Sequence, residues 1–211
     1  MVLKLYGVSI STCTRRVASI LREKDVHYEL VEIDWMKGEH KSPDFLEKQP
    51  FGQVPYIDDN GFILFESRAI SCYIARKYAA QGTQELLPTD LNAYAAFEQA
   101  ASIEFSNFDP FATALVDEKI FKPARGLATD EERVKELSTK LDAKLDAYDK
   151  LLSKQKYLAG EQITLADLFH LSYGTMLDQA GLDIMTRKPN VARWWKDITS
   201  RPSWKAVENG A

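Results

Sequence analysis

Cysteine is scarce in this chain, with only Cys13 and Cys72 among 211 residues. Two thiols build no disulfide framework, so a reducing cytosol is the default expectation. Histidine is almost as rare. His27, His40 and His170 lack the spacing of a ligand set, and no metal site is expected. No apolar run approaches the roughly 18–20 residues of a membrane span. No cluster of five basic residues occurs and the net charge is −4, which argues against nucleic acid as the main partner. The opening Met-Val-Leu-Lys-Leu-Tyr reads at once as a strand, without the charged and apolar sections of a signal peptide. A cytoplasmic location is therefore expected. Internal repeats and low-complexity tracts are missing too. What remains is an ordinary globular mixture, 45% hydrophobic and 27% charged, long enough for two modest domains.

Residues 2–6 alternate as a short strand. After a loop of small polar residues, Val17, Ile20 and Leu21 mark one face of a helix that ends near Lys24. A second strand over 27–33 completes a strand-helix-strand unit, for which a parallel, right-handed crossover is expected. The connection over 34–50 is long enough to suggest function, with a helical turn expected after Ser42-Pro43. Strands over 54–57 and 62–65 follow, then a helix from Glu66 to about Tyr78. This order, β-α-β then β-β-α, is that of a thioredoxin-like domain. A boundary is expected in Ala79–Thr89, which carries Gln-Gly-Thr-Gln-Glu and Pro88. The resulting division is 1–80, a linker over 81–89, and an all-helical domain over 90–211. In that last part Leu91 to about Phe111 reads as one helix. Val134, Leu137, Leu141, Leu145, Tyr148 and Leu152 recur at steps of three and four, the stripe of an amphipathic helix. Thr164 and Asp167 suit a capping box, with Ile163 and Leu168 as its staple. Helices over 190–200 and after Pro202 finish the chain.

The stretch from Pro50 to Arg68 holds the strongest functional signal. A cis Val54-Pro55 bond, which costs an X–Pro pair only about 0.5–1 kcal/mol, would leave the backbone of Val54 open to an extended peptide. The following hairpin delivers Glu66 and Ser67 to a helix N-terminus, where free N–H groups favour a carboxylate. Such a site suits a short, anionic peptide.

Several motifs fall together in one family order: Phe51-Gly52-Gln53-Val54-Pro55, Phe65-Glu66-Ser67-Arg68-Ala69-Ile70, Gly38-Glu39-His40-Lys41-Ser42-Pro43, Tyr157-Leu158-Ala159-Gly160, Leu165-Ala166-Asp167-Leu168, and Trp194-Trp195 followed by Ile198 to Pro202. With them, the whole chain resembles the cytosolic glutathione transferases, specifically the phi class. The resemblance implies a thioredoxin-like N-terminal domain, an all-helical C-terminal domain and a homodimer. It also implies a detoxifying enzyme that uses glutathione as co-substrate and binds no permanent cofactor.

The resemblance puts the catalytic serine at Ser11. A free thiol titrates near 8.5, and a hydroxyl donating to the sulfur contributes roughly 1.5–3 kcal/mol toward the anion. A helix N-terminus adds about 0.3–1 kcal/mol. No general base is then required. Ser11 also reads as a plain N-cap beside Ser9 and Thr12, and the residues alone leave both open. His40 and Lys41 match the residues that grip the glycine carboxylate, Lys41 as a charge and His40 as a donor in a cation pair. Gln53, Val54 and Pro55 match those bonding the peptide backbone, and Glu66 and Ser67 those taking the γ-glutamyl end. Arg68 reads as structural. The hydrophobic electrophile is expected on a wall including Ile10, Thr12, Trp35 and Phe121. Of Phe105, Phe108 and Phe111, at least two are expected in the core, and Phe51 suits a contact with a partner subunit. Reduction of organic peroxides is an open second activity. The competing readings are a non-catalytic carrier of flat apolar ligands, a scaffold for protein assembly, and thiol exchange through Cys13.

Overall fold

Alternation in Leu3–Gly7 makes the inner strand β1, with Leu3 and Leu5 buried and Lys4 exposed. The computed structural model describes residues 2–211. Helix α1 (Thr12–Glu23) returns the chain so that β2 (Tyr28–Glu32) pairs parallel to β1, Leu5 opposite Leu30. Strand β3 (Tyr56–Asp59) runs antiparallel on the other side of β1, with Leu5 opposite Ile57, and β4 (Phe62–Phe65) pairs antiparallel to β3. The four-stranded order is β2-β1-β3-β4, the thioredoxin-like sheet expected. Its hairpin closes on Asn60-Gly61, both with positive φ, while the Asp58 carboxylate accepts from the Gly61 N–H at 2.7 Å.

Helix α3 (Ser67–Lys77) packs beside α1. Their buried Val17, Ile20, Leu21, Ile70 and Ile74 share a core with Leu3, Leu5 and Ile57. Ile33, Phe45 and Tyr56 form a smaller cluster, with Val8 and Val54 packed against it. The 34–50 connection holds a 3-10 turn (Glu39–Lys41) and the short α2 (Pro43–Leu46). Ser42 caps α2, accepting from the Phe45 N–H at 3.3 Å, as Ser-Pro chemistry suggests.

The chain divides into two compact units, Met1–Leu87 with Arg201–Ala211, and Pro88–Ser200. This differs from the 90–211 reading. The last segment, with α11 (Pro202–Lys205), clusters with the sheet unit, where the Arg15 guanidinium lies 5.8 Å over the Trp204 ring and Arg201 pairs with Glu23. Trp204 and Val207 are buried. A helical pattern identifies the element and not the layer it joins.

In the second unit, α4 (Leu91–Asn107) starts on the Asp90 cap. It stops short of the expected Phe111. Pro110 has no N–H to continue the ladder, and sits in the first turn of a new helix, α5 (Asp109–Val116). Phe108 at that junction is fully buried, but Phe105 is 60% exposed and Phe111 only half-buried, so one of the three aromatics is core rather than two. A π-helical turn (Asp117–Phe121) leads into α6 (Lys122–Ala124). Helix α7 (Glu131–Leu152) buries Val134, Leu141, Leu145, Tyr148 and Leu152 of the expected stripe. After it come α8 (Leu165–Leu168), α9 (Leu171–Gln179), a 3-10 turn (Asp183–Thr186) and α10 (Pro189–Thr199). The capping box at Thr164 and Asp167 forms as read. His170 is packed, its Nδ1 donating to the Ala166 carbonyl at 2.9 Å, which leaves Nε2 to accept from Tyr148 at 3.1 Å. Among the described residues no helix is long and apolar enough to cross a membrane.

Candidate functional site

Ser11 ends the β1–α1 loop with extended backbone (φ −63°, ψ 134°) and caps α1. Its Oγ accepts from the Thr14 N–H at 3.5 Å, the long limit of such a bond. The capping reading is therefore correct, and it leaves the hydroxyl proton free, because accepting uses only a lone pair. No acid stands in the first turn of α1 to offset the helix dipole. The loop itself is pinned from two sides. The Ser9 N–H donates to both oxygens of Glu32 at 3.0 and 3.2 Å, and the Ser9 carbonyl accepts from the Ala211 N–H at 3.1 Å.

The second group of residues lies on the 34–55 segment. His40 is buried, with Trp35 stacked on its ring at 3.6 Å and 6°. Its Nδ1 has no hydrogen-bond partner. Burial, with help from the Lys41 charge, holds its pKa below the ordinary value. The expected cation pair is corrected accordingly: Lys41 supplies the charge and His40 is a neutral ring with an open polar position. Lys41 is exposed, and its ammonium donates to the carbonyls of Phe51 and Gly52 at 3.2 and 2.9 Å. Gly52 has φ +60°, and a Cβ there would lie 2.6 Å from Lys41 Nζ and 2.8 Å from the His40 carbonyl. Only glycine lets the two turns close this tightly. The side chain of Gln53 is exposed, while its N–H donates to the buried Gln49 Oε1 at 3.1 Å. Val54 and Pro55, joined by a cis bond, stand beyond the end of the β1–β3 ladder, which starts at Tyr6 and Tyr56.

At the start of α3, Glu66 is exposed with φ 70° and ψ 107°, a conformation that L-residues rarely adopt and that clusters at binding sites. Ser67 follows, buried at the first helical position. The buried Arg16 reaches it from α1, Nη1 donating to Ser67 Oγ at 3.0 Å. Sequence reasoning missed Arg16, Glu32 and Gln49. Arg16 had one available signal, since it falls four residues before Ile20 and so puts a charge on the apolar face of α1. The pairings of Glu32 and Gln49 left no periodic trace.

Of the expected apolar wall, Ile10 and Trp35 are exposed by 73% and 47%, and Thr12 is buried. Phe121 belongs to the second unit, half-buried in the π-helical turn. Cys13 is half-buried with Arg16 Nη1 3.6 Å from its sulfur. Among the described residues no group of three or more His, Cys, Asp or Glu side chains could hold a metal ion.

Comparison with known proteins gives the same answer along the whole chain. Residues 1–76 match the model of the glutathione S-transferase N-terminal domain, and residues 67–202 that of the C-terminal domain. Glutathione S-transferase PM239X14 of Arabidopsis thaliana is 48% identical over 194 residues, 91% of this chain and 89% of that protein. Glutathione transferase F7 from Populus trichocarpa superposes with a TM-score of 0.93 at 41% identity, covering 98% of each chain. Glutathione S-transferase I from mais, solved with an atrazine glutathione conjugate, gives a TM-score of 0.91 at 36% identity over 98% of this chain and 96% of that one. With both family domains present and relatives of this identity across nearly its whole length, this chain belongs to the glutathione S-transferases, in their phi class.

Proposed function

We propose that this enzyme holds glutathione along residues 40–67 and adds its sulfur, kept as the thiolate by the Ser11 hydroxyl, to hydrophobic electrophiles. Attack forms the carbon–sulfur bond while the leaving group departs with its electron pair, and no protein base is consumed. The observation that carries the reading is the Ser11 Oγ, half-buried at the start of α1 and engaged only by a 3.5 Å bond to Thr14. Lys41 takes the glycine carboxylate with His40 as a neutral donor beside it. Gln53 and the Val54 backbone, shaped by Pro55, bond the peptide. Glu66 takes the γ-glutamyl ammonium and Ser67 its carboxylate, at the N-terminus of α3. Ile10, Thr12 and Trp35 serve the electrophile, and the exposure of Ile10 and Trp35 supports an apolar contact. The atrazine glutathione conjugate bound by the mais enzyme supports an electrophile that ends as a glutathione conjugate. Two free thiols suit a cytoplasmic enzyme, and Phe51, 64% exposed, suits the surface of a homodimer.

The test is the pH profile of kcat/KM with a chlorinated nitrobenzene. Loss of one charge-assisted bond in Ser11→Ala is expected to raise the kinetic pKa by about one to two units and to slow conjugation at neutral pH. An unchanged profile and rate would remove Ser11 from the mechanism.

A further inference from the structure

Arg16 is 1% exposed on α1, and its guanidinium meets the first helical residue of α3. A buried arginine is costly unless a specific interaction holds it. Its Nη1 donates to Ser67 Oγ at 3.0 Å, and guanidinium has no lone pair to accept with. The direction of this bond is thus fixed. Ser67 Oγ accepts from Arg16, so the hydroxyl hydrogen is directed elsewhere. Ser71 Oγ donates to the Ser67 main-chain carbonyl at 2.7 Å and takes no bond from the Ser67 hydroxyl. The Ser67 proton is left for an acceptor at the N-terminus of α3, where no acidic side chain stands in the first turn. The cation behind the hydroxyl also strengthens it as a donor to an anion.

Resting on the reading of Ser67 as a carboxylate-binding residue, we infer that Arg16 is a positioning residue for glutathione. It orients and polarises the Ser67 hydroxyl toward the γ-glutamyl α-carboxylate without touching the peptide, so the enzyme's preference for a free α-carboxylate at that end depends on it. The same helix carries Ser11, so one element aligns the thiol and the far end of the peptide.

The experiment is calorimetric titration of two ligands, glutathione and γ-aminobutyryl-cysteinyl-glycine, which lacks only that carboxylate. The proteins are the wild type, Arg16→Gln, Arg16→Met and Ser67→Ala. Methionine has similar reach and no charge, so it keeps a folded comparison if the glutamine variant is unstable. The expected result is that either Arg16 variant narrows the preference for glutathione by about tenfold, the loss of one charge-assisted bond, while affinity for the analogue stays within about twofold. Equal weakening of both ligands means that Arg16 merely supports the fold, and overturns the inference. An unchanged preference in the Arg16 variants with a narrowed one in Ser67→Ala also overturns it, and leaves the site reading standing. An unchanged preference in Ser67→Ala removes the site reading and the inference with it.

Discussion

His40 illustrates how burial changes a residue's role without changing its position. A ring stacked on Trp35, with Lys41 next to it, is driven toward the neutral form. Its folded-state pKa lies below the unfolded value of about 6.5. As pH falls below that value the unfolded chain takes up the proton first, so the folded protein loses stability on the acid side. Proton-resonance titration is expected to give a His40 midpoint below about 6.5, moving upward in Trp35→Ala as water reaches the ring. A midpoint at or above the ordinary value would restore the cation pair. The histidine and its position were legible in the sequence through the family motif. Its neutrality was not, because stacking by a residue five positions earlier has no signature in residue type.

At the scale of elements, short-range chemistry predicts most of what forms. Ser11, Ser42, Asp90, Asp130 and Thr164 each stand before a helix, and the structure starts a helix after each. One cap does more than start its helix. The Asp167 carboxylate accepts from the Thr164 and Leu158 N–H groups and from Trp194 Nε1, each at 2.9 Å, and so ties α8, the 158 loop and α10 together. Burial pushes its pKa up, against the pull of those donors. Asp167→Ala removes the acceptor of four buried donors, these three and the Thr164 hydroxyl, and at about 1–3 kcal/mol for each N–H left orphaned a loss of at least about 3 kcal/mol is expected in denaturant unfolding. A loss under about 1 kcal/mol would reduce Asp167 to an ordinary cap. The capping box was readable from Thr164 and Asp167 alone. The bond to Trp194 was not, since it joins residues on different helices.

For the whole molecule, the notable feature is how the end of the chain joins the sheet unit. The Glu23 carboxylate, in the last turn of α1, accepts from Arg201 Nε and Nη2 at 2.5 and 2.7 Å, and from the hydroxyls of Thr83 and Ser203. Burial alone would raise its pKa, but the bonds from Arg201, Ser203 and Thr83 outweigh it and hold the pKa below the ordinary value. A depressed folded pKa adds stability above the unfolded value of about 4.3, and that contribution is lost as pH falls through it. Glu23→Ala removes the acceptor of the Arg201, Ser203 and Thr83 bonds, and a loss of about 1–3 kcal/mol is expected in denaturant unfolding, shrinking in acid as the parent loses the same contribution. A stability gap independent of pH would mean that packing alone joins the segment.

The sequence by itself determined the number and order of the strands (though β3 stands at 56–59 and not at the expected 54–57), the caps, the Asn60-Gly61 turn, the amphipathic stripe of α7 and, through its motifs, the family. These depend on neighbours within a few residues, where backbone geometry and side-chain spacing repeat. Only the tertiary structure decided that Arg16 stands behind Ser67, that Gln49 takes the Gln53 N–H, that His40 is neutral beneath Trp35, and that residues 201–211 join the sheet unit. Burial sets the meaning of each of those groups. It arises from the packing of distant segments, which no local pattern of residues encodes.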